Sequence, residues 1–281
     1  MKKRGSTVIV ILILVFGLSL LLYPAVSNFW NSFTSSRAIG AVAEEIANMD
    51  EETYSRILEE AELFNEYLPG RKHLFVLTEE EKSRYDSTLD ITGTGIMGYI
   101  EIPKLSVMLP IYHGTSEAVL QVAVGHIEWT ALPIGGEGNH SVLSGHRGLP
   151  SAKLFSDLDK LSEGDTFCIR ILDEILTYEV DQIKIIKPDD TTYLQPREGE
   201  DLCTLMTCTP YGVNSHRLLV RGHRIENTPE AKIVYVTSDA APIDPVIVAA
   251  FVALPILLAL FAVLLMPRRP RYKKGGNSIN D

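Results

Sequence analysis

The chain has 281 residues, 46% of them hydrophobic, a formal net charge of −10 and three cysteines. That length and apolar content suffice for one good-sized domain with additional segments. The acidic balance makes the chain a poor partner for nucleic acid, and three cysteines do not build a disulfide framework. One cysteine pair is possible, but the odd count leaves at least one free thiol.

Both ends are apolar and the middle is acidic. Thr7 to Val26 carries no charge, and Pro245 to Pro267 is a second charge-free stretch. Each is long enough to cross roughly 30 Å of hydrocarbon as a helix. Lys2, Lys3 and Arg4 precede the first, and Arg268, Arg269, Arg271, Lys273 and Lys274 follow the second. The positive-inside tendency puts both termini in the cytoplasm and the middle outside the cell. The expected organisation is a cytoplasmic tip and membrane helix (or signal anchor) over 1–30, an extracellular helical region and linker over 31–95, and a barrel over 96–237. A linker over 238–244, a membrane helix over 245–267 and a basic cytoplasmic tail over 268–281 complete it. A cleaved signal peptide is the alternative for the first segment, with Ala25-Val26-Ser27 as the cleavage site. Its apolar run is longer than a usual core of ~7–15 residues. From Ser27 to Ala241 there are 18 Lys and Arg against 34 Asp and Glu, a net of −16, which disfavours contact with anionic lipid.

Ala41 to about Leu68 lacks proline and glycine, and Ile46, Met49, Tyr54, Ile57, Leu58, Ala61 and Phe64 recur near helical spacing. One or two amphipathic helices are expected, ended by Pro69-Gly70. Arg71 to Gly95 reads as a linker or surface loop with room for a short helix. From Ile96 the texture changes to short β-prone runs with turn signals between them. These are 97–102, 107–112, 141–144, 166–171, 176–180, 182–186, 202–207, 217–221 and 232–237. Helical turns are expected near 116–122, 153–158 and 191–194. This pattern predicts a mainly β fold, a closed or nearly closed barrel with short helices.

Cys208 ends one of these runs, and Pro210 and Gly212 enforce a turn behind it. Arg217 then opens the next strand. A thiol and a guanidinium on two strands joined by a loop can face one pocket. Cys203 falls on the opposite face by period-two alternation, and Cys168 sits between Phe167 and Ile169. Both read as small buried hydrophobes. Arg221 shares a face with Arg217, but four residues of strand separate them by roughly 13 Å, so only one lies near Cys208. Histidine is the usual partner of a nucleophilic thiol. His146, in Gly145-His146-Arg147-Gly148, is one candidate among seven, and spacing alone does not single it out. No Cys-x-x-Cys or His-x-x-x-His spacing marks a metal site. The Gly135–Gly138 turn lacks the lysine and strand–helix setting of a phosphate loop, so no cofactor is expected.

Several segments together resemble sortases, and within them class C, the pilin-polymerising type of Gram-positive bacteria. They are Thr204 to Arg224, Ser144 to Gly148, Met97 to Lys104, and the stretch from His113 through Gly135–Gly138 to Ser151. The resemblance covers roughly Ile96 to Arg224 and the two-ended membrane layout. It implies an eight-stranded sortase-type β-barrel with an N-terminal helical region and a transmembrane helix at each end. It implies a cysteine transpeptidase that cleaves a Leu-Pro-x-Thr-Gly-like signal between Thr and Gly. Cys208 would be the nucleophile, His146 the general acid/base, and Arg217 the group that steadies substrate and oxyanion. The partners would be pilin subunits or surface proteins bearing the signal, with a pilin lysine or a peptidoglycan cross-bridge amine as acceptor. The protein would sit in the cell membrane as a multi-pass protein with its catalytic domain outside.

One departure stands out. Many class C sortases carry an Asp-Pro-aromatic lid motif upstream of the barrel, and nothing between Leu68 and Gly95 spells it. Tyr85-Asp86-Ser87 is the nearest fragment. Arg71–Gly95 is therefore not expected to plug the site by that lock. The competing readings are a wall-anchoring sortase and a membrane-tethered scaffold with a degenerate site. A thiol oxidoreductase is weakened by the missing Cys-x-x-Cys.

Overall fold

The structure, a computed structural model, describes residues 2–70 and 75–227. The expected strand at 232–237, the linker at 238–244, the second membrane helix at 245–267 and the basic tail lie outside the described residues.

Helix α1 runs unbroken over Lys2–Ala47, with Pro24 inside it. From Ile13 it is long and apolar enough to cross a membrane. The sequence reading divided this region at residue 30, but the helix continues past the apolar run. Ser35, Ile39 and Val42, at helical spacing, are buried against the rest of the molecule, while Tyr23 and Trp30 are exposed.

Helix α2 (Glu51–Tyr67) starts where the Asp50 side chain accepts from the Thr53 N–H at 2.7 Å, with Glu51 and Glu52 in its first turn. An N-terminal carboxylate and acidic first turn both suit the helix dipole. Ala61 and Phe64 bury its inner face, and Asn65 brackets the Leu132 backbone by accepting from its N–H and donating to its C=O. A short 3-10 turn over Leu68–Gly70 ends it, as the proline and glycine there predict. Helix α3 (Glu79–Ser87) falls inside the stretch read as linker. A capping box between Thr78 and Glu81 fixes its start. Its one buried side chain, Tyr85, is fully enclosed, so this stretch is docked structure rather than free connection.

Eight strands form a closed barrel. They are β1 (Ile96–Ile102), β2 (Val107–His113), β3 (Val124–His126), β4 (His140–Ser144), β5 (Thr166–Ile171), β6 (Glu174–Ile186), β7 (Leu202–Thr209) and β8 (His216–Ile225). Their order around the barrel is β1-β2-β3-β4-β7-β8-β6-β5, and β5 pairs with β1 to close it. β2–β3 and β4–β7 are parallel, and the other pairs are antiparallel. The expected strands at 176–180 and 182–186 are one strand, β6, whose register shifts between Val180 and Gln182. β3 is only three residues long and went unseen in the sequence. A four-residue helix, α4 (Glu117–Leu120), capped by Ser116, carries the chain from β2 back to the start of β3.

Apolar residues from alternate strand positions fill the barrel, among them Ile100, Ile102, Ile111, Leu143, Phe167, Tyr178, Leu205 and Val220. Each such side chain contributes on the order of 1.5–3 kcal/mol by leaving water. Ala61, Phe64 and Tyr85 belong to the same cluster, so the helices before the barrel share its core.

Candidate active site

The parallel β4–β7 pair sets the geometry. Its register runs from His140 opposite Leu202 to Ser144 opposite Met206. His146 lies two residues beyond Ser144, and Cys208 two residues beyond Met206, so both stand at the same level on neighbouring chains. Two hydrogen bonds hold the chain after Ser144 against β7. The Gly145 N–H donates to the Met206 carbonyl at 3.0 Å, and the Thr207 hydroxyl donates to the Gly145 carbonyl at 2.7 Å. On the other side of β7, Cys208 is directly paired with Arg217 of β8. Three adjacent chains thus bring the backbones of His146, Cys208 and Arg217 to one level.

Each residue is anchored locally. The loop after His146 folds back so that the Phe155 N–H donates to the His146 carbonyl at 3.1 Å, and the Phe155 ring is fully buried. Gly145 must lack a side chain, because a Cβ there would meet that ring at 2.7 Å. The β7–β8 turn closes through Val213 and Asn214 N–H groups donating to the Pro210 carbonyl. Arg217 Nη1 donates back to the carbonyls of Asn214 and His216 at 3.4 and 3.2 Å.

The rival side chains are engaged elsewhere. Cys203 is fully buried and burial pushes its thiol well up; Cys168 is also buried, and burial raises its thiol too. Cys208 is the partly exposed thiol of the three. Arg221 forms a two-point ion pair with Asp181, at 3.0 and 2.6 Å, and is itself buried. His126 bonds the Tyr85 hydroxyl through Nδ1 and lies against the Ala131 carbonyl through Nε2. Burial pulls it down to about 3. His140 is held between the Gln195 carbonyl and the Thr204 hydroxyl, and burial pulls it to about 4. His113 spans the Gly95 and Thr88 carbonyls, and His223 pairs with Leu202 at the far end of β7. His73 lies outside the described residues.

One residue of the site escaped the sequence reading. The Glu117 carboxylate of α4 lies 3.7 Å from His146 Nε2, and is mostly exposed. Water screens such a pair, which is worth about 0–1 kcal/mol and is an ion pair only when the imidazole is protonated. No sequence signal joins two residues 29 apart through a crossover. That crossover sits tightly on β3, where a Cβ on Gly125 would stand 2.2 Å from the Gly114 carbonyl oxygen. Gly125→Ala is expected to push the Gly114–Leu120 segment outward and cost about 1–3 kcal/mol. Thermal unfolding of the variant checks this, and an unchanged midpoint would refute the packing argument.

Residues 75–95 make their contacts toward α2, β2 and β3. Phe75 meets the Trp129 ring edge-on at 5.0 Å between centroids, and Lys82 reaches Glu128. The Tyr85 hydroxyl accepts from the Gly114 N–H at 2.9 Å. Among the described residues, no group of three or more His, Cys, Asp or Glu side chains is placed to hold a metal ion.

Comparison with known proteins identifies the domain. Residues 100–225 match the model of the sortase domain. Sortase C1 from Streptococcus agalactiae superposes with a TM-score of 0.65 and 53% sequence identity, covering 68% of this chain and all of that one. Sortase C from Streptococcus pneumoniae does so at 0.62 and 42%, covering 68% and 98%. The chain belongs to the sortase family. Its solved neighbours include several sortase C1 and sortase C proteins, which supports a class C sortase, the group that the sequence motifs resemble. Sortase D of Bacillus subtilis is 32% identical over 131 residues, 46% of this chain and 63% of that protein, so the match spans less than two thirds of that relative's length.

Proposed function

We propose that this sortase is a membrane-anchored cysteine transpeptidase that cuts a Leu-Pro-x-Thr-Gly-like signal and joins it to a pilin lysine. The observation that carries the reading is the alignment of His146, Cys208 and Arg217 at one level on three neighbouring chains. Sortase relatives are cysteine transpeptidases. The pneumococcal sortase C structure was described for its insight into catalysis and pilin substrate specificity. Helix α1 supplies the anchor, and the barrel that follows it stands outside the cell.

The chemistry follows from the residue types. Cys208 Sγ, as thiolate, attacks the Thr carbonyl carbon of the Thr–Gly bond. The carbonyl oxygen takes up negative charge, which the Arg217 guanidinium stabilises. As the C–N bond breaks, His146 gives a proton to the departing glycine nitrogen, leaving a thioester on Cys208. A lysine amine then attacks the thioester and loses a proton to His146. The C–S bond breaks, the isopeptide bond remains, and the thiolate returns.

The test is made in cells. Replacing Cys208 by Ala is expected to abolish high-molecular-weight ladders of the pilin while the protein stays at its normal level. Loss of single-protein wall attachment with ladders intact would instead favour a wall-anchoring sortase.

A further inference from the structure

The site has a fixed relation to the helix that carries the anchor. Asn28 and Asn31 lie one turn apart on α1, just beyond the charge-free run Thr7–Val26. Asn28 Oδ1 accepts from the Lys153 N–H at 2.8 Å, and Asn31 Nδ2 donates to the Val122 carbonyl at 3.1 Å. Lys153 belongs to the loop that begins at His146, and Val122 follows α4, which carries Glu117. Both loops around His146 are therefore bonded to α1 where it leaves its apolar run. Lys153 is two residues from Phe155, whose N–H reaches the His146 carbonyl. By chain reach, that carbonyl lies within roughly 13 Å of Asn28 Oδ1.

The helix then descends along the barrel. Val42 is buried in the main core, and it lies about 21 Å further along the axis than Asn28. Pro24 precedes both asparagines, so a bend there leaves these contacts in place. The end of the barrel nearest the apolar run is the end that holds Cys208.

That end also exposes apolar side chains. Tyr211 and Val213 of the β7–β8 turn are 64% and 69% exposed, and Val122 is 46% exposed. The Tyr211 ring lies over Gly148, where a Cβ would meet it at 2.6 Å, so the turn is seated on the His146 loop. Trp30 and Tyr23 stand exposed on α1 beside these contacts. Tyr and Trp favour the layer where hydrocarbon meets headgroups.

We propose that the Cys208 end of the barrel rests on the bilayer spanned by α1, with Tyr211 and Val213 in the headgroup layer. The occupant of this apolar surface is phospholipid, and acyl-donor peptides reach Cys208 along the membrane plane. The domain's net charge of −16 gives anionic lipid no purchase, so the contact is made by apolar and aromatic side chains. This inference rests on reading α1 as a membrane anchor.

The experiment uses the full chain in phosphatidylcholine vesicles whose acyl chains carry bromine near the headgroup. Tyr211→Trp and Val213→Trp are compared with Tyr193→Trp, each as emission added to that of the parent protein. Tyr193 lies in the turn beside Gln195, whose carbonyl meets His140 at the opposite end of β4. The added emission of Trp at 211 and 213 is expected to fall by roughly half, with that at 193 unchanged. Vesicle-bound protein with no quenching at 211 and 213, or with equal quenching at 193, overturns the inference and leaves the anchor standing. A full chain that does not float with the vesicles overturns the anchor and the inference together.

Discussion

Cys208→Ala is expected to eliminate peptide cleavage, lowering the rate by at least about 10³-fold, because the acyl-enzyme bond has no other atom to form on. The fold should persist, since Cys208 is partly exposed and alanine leaves only a small gap. The companion measurement is alkylation of the native protein by a soluble thiol reagent, followed by peptide mapping. Modification should fall on Cys208 alone, because burial shields Cys203 and Cys168 and holds their thiols protonated. A stable adduct with a substrate peptide, trapped on Cys208 and sensitive to hydroxylamine, would identify the thioester. Turnover that survives in Cys208→Ala would remove the nucleophile assignment.

Arg217→Ala is expected to lower kcat by about 10²–10³-fold with little change in KM, the pattern of a group that acts on charge developed in the transition state. Arg217→Lys should recover only part of the loss, because an ammonium cannot reproduce the fork of the guanidinium. Arg221 makes the contrast. Its charge is committed to Asp181, and both belong to the wall of the barrel. Arg221→Ala should destabilise the fold by about 1–3 kcal/mol, because it takes two charged hydrogen bonds from the half-buried Asp181 carboxylate. Equal kcat losses in the two variants with equal stability would show that the two arginines had been given the wrong roles.

Much of the barrel was legible in the sequence because most strands are several residues long and separated by glycine, proline or asparagine. β3 was not, since Val124, Gly125 and His126 are too few to show a period, and their strand character comes from pairing with β2 and β4. β6 was read as two strands because Asp181 interrupts the apolar alternation, whereas the barrel absorbs it as a bulge paired through Arg221. The sequence allows a short helix in Arg71–Gly95 but does not place it, because its charged residues show no apolar period. Its inner face is one residue, Tyr85, and its stability comes from a capping box and a buried hydroxyl. For the site, alternation separated Cys208 from Cys203, and the turn placed Arg217. His146 came from family resemblance alone, because a parallel pairing between positions 62 apart leaves no local trace. The loop contacts of α1 were equally invisible, as they join residues 91 and 125 positions apart.

The parallel joining of β4 to β7 also makes the site depend on a long-range pairing. His140 and Leu202 begin a pairing that no short hairpin can nucleate, and it carries the loop-closure cost of joining positions 62 apart. Until β7 slots in beside β4, Cys208 and His146 belong to separate stretches of chain. A molecule that lacks this pairing holds Cys208 apart from His146, and the proposed acyl transfer depends on that one long-range seam.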